Sequence, residues 1–293
     1  MLLLTGATGL VGSTLLTRLL AEGTQVRCLV RDPRRLGAQR VRVQIALGDL
    51  TDPPSFRNAL RGVQTVVHLA ASIRDQPRGS IEELTGIATW RMVEAAERQG
   101  VESFVFFSAL GASTHNRART LRAKALAEQA VREAGLRSVV IAPSIVYAPG
   151  DPWLTLLERL AWLPLLPVPG SGRAVYQPIW VEDVAACVSA VLAEESPPPR
   201  ARHELAGPET LSLNQIMRIV LRSFARRRPL LHVPTPLVSR GLRMLERLAG
   251  PGAFATWDEA ELLEVSMTSA RGAADAEALG VRPQRMAAVL GAG

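Results

Sequence analysis

Lysine is all but absent from this sequence. Lys124 is the only one, although Lys and Arg together number 34 and the net charge is +7. Aromatic residues are scarce as well, at 4%. With the basic residues scattered along the chain, that scarcity removes the aromatic-studded basic stripe of a nucleic-acid-binding face, so no nucleic acid is expected as a partner. The charge suits a phosphorylated small molecule or an anionic membrane surface equally well. Cysteine occurs twice, at Cys28 and Cys187. Two distant thiols make neither a disulfide framework nor a metal-ligand spacing, so no metal site is expected and a reducing cytoplasm is the expected compartment. No stretch approaches the roughly 18 uncharged apolar residues of a spanning helix. The opening MLLLTGATGL lacks a charged n-region and a small-residue cleavage site, and it reads as a strand entering a glycine loop rather than as a leader.

What the sequence does contain is a rhythm. MLLLT, QVRCLVR, RVQIALGDL, VQTVVHLAA, VESFVFFSA and RSVVIAPS read as strands. LVGSTLLTRLLAEG, PPSFRNALRG, SIEELTGIATWRMVEAAERQG and RTLRAKALAEQAVREAG read as helices between them, three of these closed by Gly23, Gly100 and Gly135. Near-continuous apolar strands alternating with helices specify a parallel sheet covered on both faces. The fold class expected is therefore α/β, a Rossmann-type doubly wound parallel sheet with a small, mainly helical C-terminal lobe. Residues 1–150 form the dinucleotide-binding core in this division. Residues 151–293 form the cap, with 175–195 returning to the core. Ser212 and Gln215 are spaced as a capping box at the start of a lobe helix.

The stretch TGATGLVG sets Gly6, Gly9 and Gly12 between the first strand and the first helix. In that context the glycines permit a tight turn, close approach of backbone to a pyrophosphate and close helix–strand packing. At the end of the second strand, LVRDP puts Arg31 where an acidic residue would bind the ribose of NAD. An arginine there suits the 2′-phosphate of NADP, and the neighbouring Asp32 keeps NAD open. Asp49, in GDL after the third strand, is a candidate acceptor for the adenine amino group.

These motifs, with VVHLAA, FVFFSALGA, LRAKALAEQAVREAGLRSVVIAPSIVYAPGD, YQPIWVEDVA and ELAGPETLSLNQI, resemble the short-chain dehydrogenase/reductase superfamily in its extended or atypical branch, NAD-dependent epimerase/dehydratase-like. The resemblance covers most of the chain. Within the branch it is nearest to the nucleotide-binding accessory subunit of respiratory complex I and its bacterial relatives, which share segments like SALGA. The resemblance implies a cofactor site built from Gly6, Thr8, Gly9, Leu10, Val11, Gly12, Arg31, Asp49, Leu50, Leu69, Ala70, Ala71, Ser108, Lys124, Pro143, Ser144, Ile145 and Val146.

In the superfamily a Tyr and a Lys stand four apart on one helical face. The lysine bonds the nicotinamide ribose and lowers the phenol pKa. Lys124 matches that lysine, which accounts for its retention in an arginine-writing sequence. The tyrosine is missing: Thr120 occupies its position, and an aliphatic hydroxyl is a poor general acid near neutrality. Ser108 matches a polar active-site position, and Tyr147 is the tentative substitute phenol, with Tyr176 the chain's other tyrosine. Pro143 to Val146 match the stretch whose backbone faces the nicotinamide carboxamide. His68 reads as a satisfied core histidine. The segment WLTLLERLAWLPLL, with Trp153 and Trp162, reads as a flap over the substrate cleft, or as a contact with a membrane or partner.

Two functions follow as expectations. One is a protein that binds NADP(H) in preference to NAD for a structural or redox-sensing purpose, with attachment to a protein assembly or to the inner face of the membrane. The other is an active NADP-dependent oxidoreductase or epimerase acting on a small carbonyl or quinone-like substrate with an unusual proton donor.

Overall fold

A computed structural model describes residues 1–194, 198–238, 240 and 257–292. The chain opens with strand β1 (Leu2–Thr5), helix α1 (Leu10–Ala21), β2 (Val26–Val30) and β3 (Gln44–Leu47). Next come α2 (Pro53–Phe56), β4 (Thr65–His68), α3 (Ala88–Arg98), β5 (Ser103–Phe107), α4 (Arg119–Glu133) and β6 (Arg137–Pro143). A seventh long strand, β11 (Arg200–Leu205), follows the short β7 (Val146–Tyr147), α5 (Pro152–Leu160), β8 (Leu166–Pro169), β9 (Val175–Tyr176), β10 (Ile179–Trp180) and α6 (Val181–Ala193). The main sheet has the order β11-β6-β5-β4-β1-β2-β3, and each of its strand pairs is parallel. Strand order reverses between β1 and β4. The loops leaving these two strands therefore diverge and open a crevice at the carboxyl edge.

Alternation explains why both faces are covered. In β1, Leu2 and Leu4 join the apolar cluster under α1 and α6, while Leu3 joins the opposite cluster beneath α3 and α4. β5 divides the same way, with Val105 on the first face and Phe104 and Phe106 on the second. Each fully buried Leu or Phe here contributes roughly 1.5–3 kcal/mol of transfer free energy. The expected α/β doubly wound fold is what these residues build. One helix departs from expectation: the segment read as continuous over SIEELTGIATWRMVEAAERQG begins with a π-helical stretch, Glu82–Ile87.

In the lobe, α5, β8, β9 and α7 (Leu213–Ser223) pack an apolar cluster that also takes in Ala109, Leu110 and Leu121 of the core. The capping box at Ser212 and Gln215 is present as the spacing predicts. Strand β13 (Leu230–Val233) pairs in parallel with β8, and β12 (Leu211–Ser212) pairs antiparallel with β9. Residues 200–205 and the short helix Ala274–Ala278 join the core alongside α6. These two returns carried no local signal, because each depends on a partner far away in sequence.

Candidate functional site

The crevice starts at the turn after β1. Gly6 has φ of +73°, and a Cβ added to it would lie 2.7 Å from the Ala70 nitrogen. Only glycine fits a positive φ with a second backbone so close. A Cβ on Gly12 would collide with the Gly6 carbonyl oxygen, so α1 can pack on the turn only with glycine there. Gly9 is exposed and N-caps α1 without a side-chain hydrogen bond. Thr8, Leu10 and Val11 flank it half-buried. The first amides of a helix have no intrahelical acceptor and carry the positive end of its dipole. An uncapped helix start in a glycine cradle fits the diphosphate of a dinucleotide.

One strand over from β1, Arg31 is exposed just past β2; it makes no hydrogen bond or ion pair among the described residues, though its charge acts on Asp49. Asp32 is committed. It caps the turn Pro33–Arg42, and its carboxylate accepts from the Arg34 amide at 3.0 Å and from the Arg34 guanidinium at 2.9 and 3.0 Å. Those side-chain bonds hold the carboxyl below its usual range. Asp49 differs from its expected posture. One oxygen accepts from the amide and hydroxyl of Thr51 at 3.0 and 2.9 Å, and the other pairs with Arg78 at 2.7 Å. Leu50 packs half-buried on the cluster containing Phe56 and Leu60.

The loop after β4 closes the middle of the crevice. The Leu69 amide donates to the Thr5 carbonyl and the Ala70 amide to the Thr5 hydroxyl, each at 3.3 Å. Ala71 is exposed beside them. The Thr5 hydroxyl also bonds His68 Nδ1 at 2.9 Å. His68 is buried beside Phe104 and Phe106, with ring centroids 5.8 and 6.2 Å away. Burial, and then the charge of Lys124, push its pKa down to about 3. It is a core histidine as expected, but only half satisfied, since Nε2 has no partner among the described residues.

Lys124 and Thr120 lie one turn apart on α4, and both are buried. The lysine ammonium donates to the Phe107 carbonyl at 2.6 Å and sits 5.7 Å from the centroid of the Phe106 ring. Burial pushes its pKa down to about 8, with Glu128 opposing the shift. Ser108 follows Phe107. Its amide donates to the Ile141 carbonyl at 2.7 Å, and its buried hydroxyl has no partner among the described residues. Lys124, Ser108 and His68 thus gather at the carboxyl ends of β4 and β5. A buried polar atom without a partner is costly, and the Ser108 hydroxyl, beside the spare donors of Lys124, fits a polar ligand.

Other expected site residues sit deeper in the fold. The polar groups of Pro143 to Val146 are largely committed within the fold. Pro143 and Ile145 accept from the amides of Leu110 and Ile179. The Ser144 amide donates to Leu205, and its hydroxyl donates to the Met267 carbonyl at 2.6 Å and accepts from the Gln177 amide at 3.0 Å. Ser144 therefore fastens the C-terminal segment to the core, and only Ile145 and Val146 of this stretch stay partly open. Tyr147 is buried in a cluster that the lobe shares with Leu110 and Leu121 of the core. Burial, with the charges of Asp183 and Glu209, pushes its phenol above the ordinary range, and its hydroxyl has no partner among the described residues. Tyr176, in the same cluster, donates to the Leu263 carbonyl at 2.6 Å.

Sequence reasoning missed the strap formed by residues 72–80. Arg119, just before Thr120, bonds both Glu82 and Asp75 and pairs with Asp258 at 3.6 Å. Arg74 bonds Glu259 at 2.7 Å. With Arg78 on Asp49, the strap links the loop after β3 to helix Trp257–Leu262 of the lobe. The charged run RDQPRG was the available signal, but its partners are far apart in sequence. Among the described residues no cluster of potential metal ligands occurs.

Comparison with known proteins agrees with this geometry. A family described as NAD(P)H-binding matches residues 6–195. NADH dehydrogenase (ubiquinone) 1 alpha subcomplex subunit 9, mitochondrial, of Arabidopsis thaliana is 29% identical over 226 residues, 73% of this chain and 56% of that protein. The ceramide reductase of Caulobacter vibrioides is 31% identical over 185 residues, 62% of this chain and 58% of that protein. The chain thus spans little more than half the length of either relative. Among solved structures, an NADPH-dependent quinone oxidoreductase of Escherichia coli in complex with NADPH superposes with a TM-score of 0.78 at 16% identity, covering 99% of both chains. That likeness is one of fold.

Proposed function

Because the chain belongs to the NAD(P)H-binding family matched across residues 6–195, we propose that it holds NADP(H) in the crevice, in preference to NAD(H), as a structural or redox-sensing cofactor with little turnover. The diphosphate would lie against Gly9, Leu10 and Val11, with Thr8 beside it. Arg31 would meet the 2′-phosphate, and Leu50, Leu69, Ala70 and Ala71 would border the adenosine. Lys124 would bond the nicotinamide ribose with donors left over from Phe107, and Ser108, Ile145 and Val146 would lie along the nicotinamide. A bound nicotinamide supplies or accepts a hydride.

One observation carries the low-turnover reading. Thr120 stands one turn before Lys124 where a phenol is needed, and both tyrosines of the chain are fully buried. The preference for NADP rests on the contrast between Arg31, exposed and without a hydrogen bond among the described residues, and Asp32, whose carboxylate is occupied by Arg34. Attachment to a larger assembly remains part of this proposal, motivated by the named role of the Arabidopsis relative as a subunit.

A second reading has its own observation. Burial lowers the Lys124 pKa to about 8, and the Ser108 hydroxyl has no partner among the described residues, so a proton could be exchanged without a phenol, in an NADP-dependent oxidoreductase or epimerase acting on a small carbonyl or quinone-like substrate. The test is to load the protein with NADPH and add an aldehyde and a quinone while following nicotinamide fluorescence. Under the first reading the cofactor stays bound and reduced, and Thr120→Tyr gains slow oxidation. Rapid oxidation by the unaltered protein overturns the first reading and supports the second.

A further inference from the structure

The lobe exposes an apolar run. α5 ends at Leu160, and the chain then turns through Trp162, Leu163, Pro164 and Leu165 before entering β8. Trp162 is 70% exposed, Leu163 45% and Leu165 43%. β8 carries this run beside β13, where Leu231, also exposed, lies opposite Pro167. Trp153, one helix earlier, packs against the lobe's interior instead. The run is therefore no by-product of an amphipathic helix. It is a short loop that leaves its apolar side chains in water.

Arginines border the loop. The general scatter of basic residues breaks at Arg226, Arg227 and Arg228. The Arg226 guanidinium lies 3.6 Å from the centroid of the Trp162 ring. Arg228 donates to the Ala161 carbonyl at 3.2 Å, at the root of the loop. These three, with Arg218 and Arg222, line a groove of about 800 Å³ where, among the described residues, the one acidic group is Glu209.

We propose that this face docks on an anionic phospholipid surface. The Trp162–Leu165 loop would enter the boundary between headgroups and acyl chains while the arginines meet lipid phosphates. The chemistry fits at each point. Tryptophan combines a large apolar ring with one polar N–H and favours that boundary. Arginine can lay its stem along apolar surface while its head stays among the phosphates. Juxtamembrane basic residues strengthen attachment to anionic lipid. A stable protein–protein interface buries on the order of 800 Å² per partner. A loop of four residues supplies too little apolar area for that, whereas a lipid surface needs only a wedge and cations.

The test is co-sedimentation of the full chain with phosphatidylcholine vesicles, alone or with about 30% phosphatidylglycerol, at about 0.1 M salt. The protein is expected to sediment with the anionic vesicles alone. Trp162→Ser combined with Leu163→Ser should weaken that binding by roughly tenfold or more, and Arg227→Gln by about fivefold. These side chains stand in solvent, so thermal melts should stay unchanged. Failure to bind anionic vesicles overturns the proposal. So does binding that survives the double substitution, which would be charge adsorption alone. A double variant that alters oligomeric state in light scattering, with no vesicle binding by the parent, would assign the face to a second copy instead.

Discussion

The ammonium of Lys124 donates to the main-chain oxygen of Phe107 at 2.6 Å, tying the middle of α4 to the carboxyl end of β5. An ammonium has three donors, and this bond commits one of them. The remainder can serve a ribose, while the tie fixes where they point. A guanidinium is a planar fork rather than a compact ammonium, so arginine is not expected to reproduce both the tie and the spare donors.

Lys124→Met should therefore weaken NADPH binding by about tenfold to a hundredfold, the range for losing a hydrogen bond from a charged donor. Lys124→Arg should fail to restore it. Fluorescence titration of both variants, with circular dichroism as a check on folding, measures this.

Arg31→Ala should lower affinity for NADPH by about tenfold or more and leave NADH within about twofold, since only NADPH carries the phosphate that a lone guanidinium would meet. Asp32→Ala should change neither affinity by more than about twofold, because its carboxylate is already bonded to Arg34. Equal losses for the two coenzymes in Arg31→Ala would remove the basis for NADP preference.

His68 should make the fold acid-sensitive. Its pKa is about 3 when folded and 6.5 when exposed. Between those values the unfolded chain binds a proton that the folded chain refuses, so stability falls as pH drops through that window. His68→Gln should flatten the decline. Urea midpoints at about pH 7 and about pH 4.5 compare the slopes, and equal slopes in both proteins would contradict a neutral buried imidazole.

Much of the crevice was legible because its determinants are local. Gly6, Gly9 and Gly12 follow an apolar strand within a few residues, and Thr120 and Lys124 sit one turn apart on one helix. What stayed hidden depends on distant partners. Ser144 sits in a strand-end motif, yet its hydroxyl bonds Met267, 123 residues away. Arg119 joins Asp75, Glu82 and Asp258 from three parts of the chain. Asp49 looked open to adenine until the fold brought Arg78 to it. Tyr147 offered a phenol in sequence, and tertiary packing in the lobe buried it. Spacing reports which groups share an element, while only the folded chain reports which of them are already spoken for.

The most direct measurement is a titration of the purified protein with NADPH and with NADH, read by nicotinamide fluorescence and checked for stoichiometry. We expect one NADPH per chain, held more tightly than NADH and displaced by excess NADP. If neither coenzyme binds at saturating concentration, the glycine turn and Lys124 hold the fold together and nothing more, and the cofactor reading is wrong.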